Sequence, residues 1–121
     1  MIKVGLIGLG NMGSTHLRVL SILKDVKINF IFDKNIKIMK LYSKQYNCPY
    51  TINLNKELKN IDALIISSPT NTHYKYLKKA VGVVKNIFAE KPLSNYFKES
   101  KDIFKLIDFN KAESLNRAVK T

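Results

Sequence analysis

The chain has 121 residues, of which 45% are hydrophobic, and its formal net charge is +12 at pH 7. This length indicates one domain with a real core, and no apolar run approaches the ~20 residues that a membrane span requires. The charge comes from 19 lysines and two arginines spread along the chain, whereas nucleic-acid surfaces favour arginine with interleaved aromatic residues, so the charge favours a field that attracts anionic ligands.

A single cysteine, Cys48, excludes an internal disulfide and fits a reducing, cytoplasmic compartment. The apolar N-terminus resembles a signal peptide only superficially, because glycines interrupt it at positions 5, 8 and 10 and no cleavage site follows. We expect a buried strand and a turn there.

Apolar runs alternate with helical patterns along the chain. The predicted strands are residues 3–8, 27–32, 62–67 and 86–90, with a short strand at 50–52. The predicted helices are 12–24, 36–46, 55–59, 72–84 and 94 to about 109. Near-continuous apolar strands separated by helices imply a parallel sheet that is buried on both faces. The predicted fold class is therefore α/β: a Rossmann-type, doubly wound, mostly parallel sheet with helices on both faces.

A glycine motif follows the first predicted strand. Residues 8–13, GLGNMG, match G-x-G-x-x-G and open the first predicted helix. Gly8 permits the tight turn, Gly10 lets the backbone approach a pyrophosphate, and Gly13 lets the helix pack closely on the strand. The N-terminus of the helix would offer free N–H groups and its positive dipole end to the phosphates.

An acidic residue stands where a dinucleotide site needs one. Asp33 ends the second predicted strand, about 20 residues after Gly13, the spacing at which a carboxylate binds the adenosine ribose hydroxyls. A carboxylate would also repel a 2′-phosphate, so the sequence favours NAD over NADP. The adjacent cation of Lys34 acts against that preference, because it could compensate for the repulsion.

Two loops follow later strands, at the sheet edge where doubly wound folds bind ligands. One is SSPTNTH, residues 67–73, and the other is EKP, residues 90–92. Together, the segments GLIGLGNMGSTH, FDKN, DALIISSPTNTHY and AEKPLS resemble the NAD(P)-binding domain of the glucose–fructose oxidoreductase/inositol dehydrogenase (Gfo/Idh/MocA) family, over about residues 2 to 110. Such proteins are usually NAD(P)-dependent oxidoreductases that act on CH–OH groups of sugars, cyclitols and related polyols.

The resemblance implies cofactor-binding roles for individual residues. Those expected along the pyrophosphate are Leu9, Asn11 and Met12. Those expected to flank the cofactor are Ser67, Ser68, Pro69 and Thr70. Those expected near its ribose and nicotinamide end are Asn71 and His73, although by residue type alone an isolated histidine early in a helix is usually structural or solvated. We assign no metal ligands.

The resemblance also implies a catalytic lysine. Glu90 and Lys91 would reach the nicotinamide ribose and the substrate, and Pro92 would fix the turn. Lys91 would be the catalytic residue, because an ammonium group can hydrogen-bond the reacting oxygen, stabilise developing negative charge and join a proton relay.

One local departure from the family lies before the last predicted strand. Family members commonly carry glycine where this chain has Val84, and a left-handed valine would cost on the order of 1 kcal/mol or more. We therefore expect the preceding helix to end differently, near Gly82.

The last part of the chain bears on function. We expect residues 1–110 to form the NAD(P)-binding domain and residues 111–121 a polar tail, with the family's C-terminal substrate domain absent. The isolated chain would then bind dinucleotide without turnover, and a polyol-like substrate would bind only with the missing domain. The alternatives are a stand-alone dinucleotide sensor, a subunit completed by a partner chain, and a basic nucleic-acid-binding module. Homo-oligomerisation stays open.

Overall fold

The computed structural model describes residues 1–89. The strands are β1 (Ile2–Ile7), β2 (Val26–Phe32), β3 (Ala63–Ile66) and β4 (Asn86–Ala89). The helices are α1 (Asn11–Ile22), α2 (Ile36–Tyr46), α3 (Leu54–Glu57) and α4 (His73–Ala80), with short 3-10 turns at Leu58–Asn60 and Thr70–Thr72. The expected helix from residue 94 lies outside the described residues, as do the segments 90–92 and 111–121. Within residues 1–89, every helix is too short or too polar to cross a membrane.

The four described strands form one parallel sheet in the order β2-β1-β3-β4. Ile7, the last residue of β1, pairs with Phe32 of β2 on one side and with Ile66 of β3 on the other. The carboxyl ends of these three strands therefore lie in one row. Strand β2 lies on one side of β1, and β3 and β4 lie on the other side. The strand order therefore reverses at β1, and such a switch point is where doubly wound folds bind ligands.

Helices cover both faces of the sheet, as predicted. Alternate strand residues point to opposite faces: Leu6 and Ile31 pack with Leu17 of α1 and Met39 of α2. The opposite face packs against α3 and α4 in a larger cluster that includes Ile7, Phe30, Leu54, Leu58, Leu64, Ile66 and Leu77. Burying each such side chain contributes roughly 1.5–3 kcal/mol, so the two layers supply most of the driving force that holds the sheet.

Helix α2 has the predicted bounds because both of its ends are capped. The side chain of Asn35 accepts a hydrogen bond from the Ile38 N–H at 3.2 Å. At the other end Asn47 adopts a left-handed conformation, with φ 51°. Asparagine tolerates that conformation better than most residues, which explains why the helix ends there.

The prediction of a strand at residues 50–52 is wrong. Tyr50 makes one isolated parallel bridge with Ile31, and Pro49 before it has no N–H to extend the ladder. The Thr51 hydroxyl accepts a hydrogen bond from the Asn53 N–H at 3.0 Å. This contact turns the chain towards α3 and ends the pairing after one residue.

Two helices end earlier than the pattern predicts. Helix α1 stops at Ile22, and Leu23 is extended and 47% exposed. Helix α4 stops at Ala80, and the left-handed position after it is Gly82, with φ 89°. Val84 is buried and keeps a negative φ. The expected change in the way this helix ends is confirmed.

Candidate functional site

A cleft of about 740 Å³ lies at the carboxyl end of the sheet. In the described part of the chain, its walls come mainly from three loops: the glycine turn after β1, the turn after β2, and the segment after β3. The predicted site residues that line it are Gly8, Leu9, Gly10, Asn11, Met12, Asp33, Ser67, Ser68, Pro69, Thr70, Asn71 and His73. Gly13 lies behind the wall, and Glu90, Lys91 and Pro92 lie outside the described residues.

The glycine turn requires its first and third glycines for space. Gly8 has φ 96°, and a β-carbon there would overlap the backbone of Ser67 and Ser68. A β-carbon on Gly13 would overlap the carbonyl oxygen of Gly8. The backbone of the glycine turn therefore packs directly on the loop after β3, and α1 packs directly on the glycine turn, with no side chain between them.

Gly10 differs from both, because its position is open. A β-carbon there would have no heavy atom within 4 Å, and Gly10 is the N-cap of α1, without a side-chain cap. The first turn of α1 therefore presents N–H groups and the positive end of the helix dipole to the cleft. A phosphate group fits this arrangement, because backbone donors and open space lie together.

Asp33 joins two walls of the cleft. Its Oδ2 accepts a hydrogen bond from the Leu9 N–H at 2.8 Å, and its Oδ1 accepts one from the Asn35 N–H at 2.8 Å. Each carboxylate oxygen can accept a further bond, so the group retains capacity for hydroxyl donors. The acidic residue therefore fixes the glycine turn beside the end of β2 and still has acceptors for a ribose.

The loop after β3 is held by its own polar groups. The Ser67 N–H donates to the Ile7 carbonyl at 2.7 Å, which continues the pairing of β1 and β3. The Thr72 hydroxyl lies 2.7 Å from the Ser68 hydroxyl and 2.6 Å from the Pro69 carbonyl oxygen. The Ser67 hydroxyl is shut away from solvent, with no hydrogen-bond partner within residues 1–89.

His73 braces the same loop from the start of α4. It is 2% exposed, and its Nε2 lies 2.9 Å from the Ser68 carbonyl oxygen. A carbonyl only accepts, so Nε2 is the protonated nitrogen in this contact. His73 therefore lines the cleft and also contacts the backbone of the loop.

Within residues 1–89, seven further residues line the cleft that the sequence analysis did not assign to the site: Ile7, Phe32, Lys34, Asn35, Ile38, Thr72 and Tyr76. Most adjoin a residue that was identified. Asn35, Ile38 and Tyr76 do not, although the position of Tyr76 one helical turn after His73 places both of these residues on one face of α4. That spacing was the available signal.

The residues present fit a dinucleotide. Open space lies over Gly10, uncapped N–H groups begin α1, and a carboxylate with spare acceptors stands at the end of β2. The closed positions of Gly8 and Gly13 keep these groups together. Phosphates and ribose hydroxyls have partners of the right chemistry on adjoining walls of one cleft.

Comparison with known proteins agrees with this arrangement. Residues 2–114 match the Gfo/Idh/MocA family model, described as an oxidoreductase family with an NAD-binding Rossmann fold. Myo-inositol 2-dehydrogenase of Thermotoga maritima is 32% identical over 98 residues, which are 76% of this chain and 28% of that protein. Inositol 2-dehydrogenase of Rhizobium meliloti is 26% identical over 113 residues, 93% of this chain and 34% of that protein.

Solved structures show the same likeness. Myo-inositol 2-dehydrogenase from Lactobacillus plantarum superposes with a TM-score of 0.78 at 27% identity, over 87% of this chain and 32% of that one. The chain thus spans about a third of the length of the relatives it matches. With the parallel sheet, the glycine turn and Asp33 in place, the chain belongs to the Gfo/Idh/MocA oxidoreductase family, of which it contains the NAD-binding Rossmann domain.

Proposed function

We propose that the chain binds NAD as the dinucleotide domain of an oxidoreductase that transfers hydride to or from a sugar, cyclitol or polyol-like substrate. The observation that carries the proposal is the Asp33 carboxylate, fixed between the glycine turn and the end of β2. The family is one of NAD(P)-dependent dehydrogenases, and the inositol dehydrogenases among its relatives act on a cyclitol.

The residues of the cleft have distinct tasks in this proposal. The turn at residues 8–13 and the first N–H groups of α1 bind the pyrophosphate, and Asp33 binds the adenosine ribose. The segment 67–71 and His73 flank the cofactor from the wall opposite the glycine turn. The nicotinamide, when bound, supplies the hydride acceptor or donor. The chain's own residues orient it, and we place the site in a reducing compartment such as the cytoplasm, because Cys48 is the single thiol.

The preference for NAD over NADP rests on Asp33. A carboxylate that accepts ribose hydroxyls repels a 2′-phosphate, and both of its oxygens already hold backbone N–H groups that keep it in place. Calorimetric titration of the 121-residue chain with both cofactors tests this. We expect tighter binding of NAD+, and an equal or higher affinity for NADP+ would contradict the preference.

We propose Lys91 as the catalytic residue, on the strength of the EKP motif. Its ammonium group would hydrogen-bond the reacting oxygen and also contact the nicotinamide half of the cofactor. Replacing Lys91 with alanine should then weaken NAD+ binding by about three- to tenfold. ADP, which lacks the nicotinamide half, should bind unchanged, and an equal loss for ADP would place Lys91 elsewhere.

We further propose that residues 1–110 form the dinucleotide domain, that substrate binding requires a second domain, and that the isolated chain has no turnover. Hydride transfer to or from a CH–OH group needs a positioned proton acceptor in a closed site. Within residues 1–89 the one histidine in the cleft, His73, contacts the Ser68 carbonyl. Assays with NAD+ and a panel of polyols and sugars should show cofactor binding without turnover; clear turnover would refute the inactivity.

A further inference from the structure

Tyr76 lies in the cleft wall without an assigned task. It comes from the second turn of α4 and is 3% exposed, yet it lines the same cleft as Asp33. Its hydroxyl is not among the atoms within residues 1–89 that are shut away from solvent without a hydrogen-bond partner, which are Asn29 Oδ1 and Ser67 Oγ. The hydroxyl of a buried tyrosine ring usually has a polar partner, and at the cleft a ligand can supply that partner.

The ring of Tyr76 is firmly held. It packs edge-to-face on Phe32, with ring centroids 6.2 Å apart and planes at 71°. The Lys75 ammonium lies 5.6 Å from the centroid of the ring. Edge-to-face packing and a cation over the ring each stabilise one orientation, so the hydroxyl is presented to the cleft at little further entropic cost.

The position of the Tyr76 ring indicates which half of the cofactor it can contact. Phe32 is the last residue of β2 and is followed directly by Asp33. Strand β2 is the outermost strand of the described sheet on the side away from β4. Asp33 is the proposed ribose acceptor, and Tyr76 therefore adjoins the adenosine end of the cleft rather than the nicotinamide end.

The chemistry of the hydroxyl suits this place. Burial raises the pKa of Tyr76, and the negative charge of Asp33 raises it further. The phenol therefore stays protonated at neutral pH and keeps its O–H donor. A protonated phenol beside a carboxylate complements a ribose hydroxyl, which can donate to the carboxylate and accept from the phenol.

We propose that Tyr76 is a further cofactor-binding residue whose hydroxyl contacts the adenosine ribose from the wall opposite the glycine turn. The inference rests on the proposed NAD binding and adds a contact that comes from α4 instead of the loops. It also assigns the adenosine half of the ligand, a nucleoside diphosphate, as the part that Tyr76 recognises.

The test compares two tyrosines of one helix. Tyr76→Phe removes the hydroxyl and keeps the ring packing on Phe32. Tyr74→Phe is the matched control, because Tyr74 is partly buried and, like Tyr76, carries a lysine over its ring, with Lys78 Nζ at 5.9 Å, but does not line the cleft. Calorimetry on the full chain would measure NAD+ and ADP, and thermal unfolding would confirm that both variants are folded.

We expect Tyr76→Phe to raise the Kd by about five- to tenfold for NAD+ and ADP alike, the loss typical of one neutral hydrogen bond. Tyr74→Phe should leave both values unchanged. If Tyr76→Phe binds ADP as tightly as the parent chain, or if both variants lose equally, the inference is wrong. A parent chain that binds no NAD+ overturns the proposed function, and the inference with it.

A second measurement does not depend on a variant. In the parent chain with ¹³C-labelled tyrosine, titration with ADP should shift the ring Cζ resonance of Tyr76 and leave that of Tyr74 in place. An unmoved Tyr76 resonance at saturating ADP would overturn the contact even if a variant had failed to fold.

Discussion

At the scale of single residues, Asp33 has both a structural role and a proposed ligand-binding role. It accepts the Leu9 and Asn35 N–H groups, and in the proposed function it also accepts the ribose. A substitution at Asp33 therefore changes the wall of the cleft as well as the ligand contact. Loss of affinity on substitution is not a measure of the ribose contact alone.

Asp33→Asn tests this double role. The amide offers one acceptor oxygen where the carboxylate has two, so one of the two N–H groups loses its partner. We expect the free energy of unfolding to fall by about 1–3 kcal/mol and the affinity for NAD+ to fall at least tenfold. Chemical denaturation and calorimetry measure the two effects.

Asp62→Asn is the matched control for this variant. Asp62 accepts the Lys3 N–H at 2.9 Å, but it does so at the opposite end of the sheet, before β3. Its replacement should leave NAD+ affinity unchanged. If Asp33→Asn bound NAD+ like the parent chain, Asp33 would not be the ribose acceptor.

Gly10 and Gly13 should respond in opposite ways to alanine. A methyl group on Gly13 meets the Gly8 carbonyl, which is backbone and cannot give way, so Gly13→Ala should destabilise the fold even though alanine is the better helix former by about 1 kcal/mol. Gly10→Ala meets open space. It should unfold near the parent temperature yet lose NAD+ affinity, because the methyl group occupies the phosphate position.

Melting temperature and NAD+ affinity, measured on both variants, decide this. A stable Gly13→Ala protein would contradict the close packing of α1 on the first turn. A Gly10→Ala protein with full affinity would contradict the phosphate position.

At the scale of elements, the end of α4 shows how local chemistry overrides periodicity. The apolar pattern continues to Val84, but the helix ends at Ala80 and Gly82 takes the left-handed turn. Val84 is then free to enter the core, where it is 4% exposed. Gly82 therefore makes the reversal two positions before Val84.

Gly82→Ala should therefore destabilise the chain by about 1 kcal/mol, the cost of a side chain in the left-handed region. Val83→Ala is the comparison, because Val83 is 48% exposed and should change stability little. Equal urea midpoints for the two variants would show that the turn tolerates a side chain at position 82.

The sequence determines the elements wherever the signal is local. Asn35 and Asn47 cap the two ends of α2, and the glycine turn indicates where the cleft lies. The length of pairing at Tyr50 could not be predicted in this way, because its single bridge to Ile31 depends on a contact with β2, which is distant in sequence. Tyr76 was not identified although it follows His73 by one helical turn, because its ring partner, Phe32, is 44 positions away in sequence and adjacent only in the fold.

At the scale of the whole molecule, binding and folding are linked. A ligand that binds only the folded chain stabilises it by RT ln(1 + [L]/Kd), about 2.7 kcal/mol at one hundred times Kd. We expect NAD+ at that concentration to raise the melting temperature of the chain by several degrees. An unchanged melting temperature at high NAD+ would contradict binding to the native cleft, and NADP+ at the same concentration provides the comparison.

The common row in which β1, β2 and β3 end has a practical consequence for labelling. Within residues 1–89, the loop residues proposed to touch the cofactor follow that row, while the exposed turn at Lys24 and Asp25 precedes β2 at the opposite end of the sheet. A fluorophore on position 24 should thus act as a silent tag, and one on the exposed, cleft-lining position 34 as a reporter of ligand. The parallel register thus separates the ligand-binding end of the molecule from an end that is suitable for attaching a label.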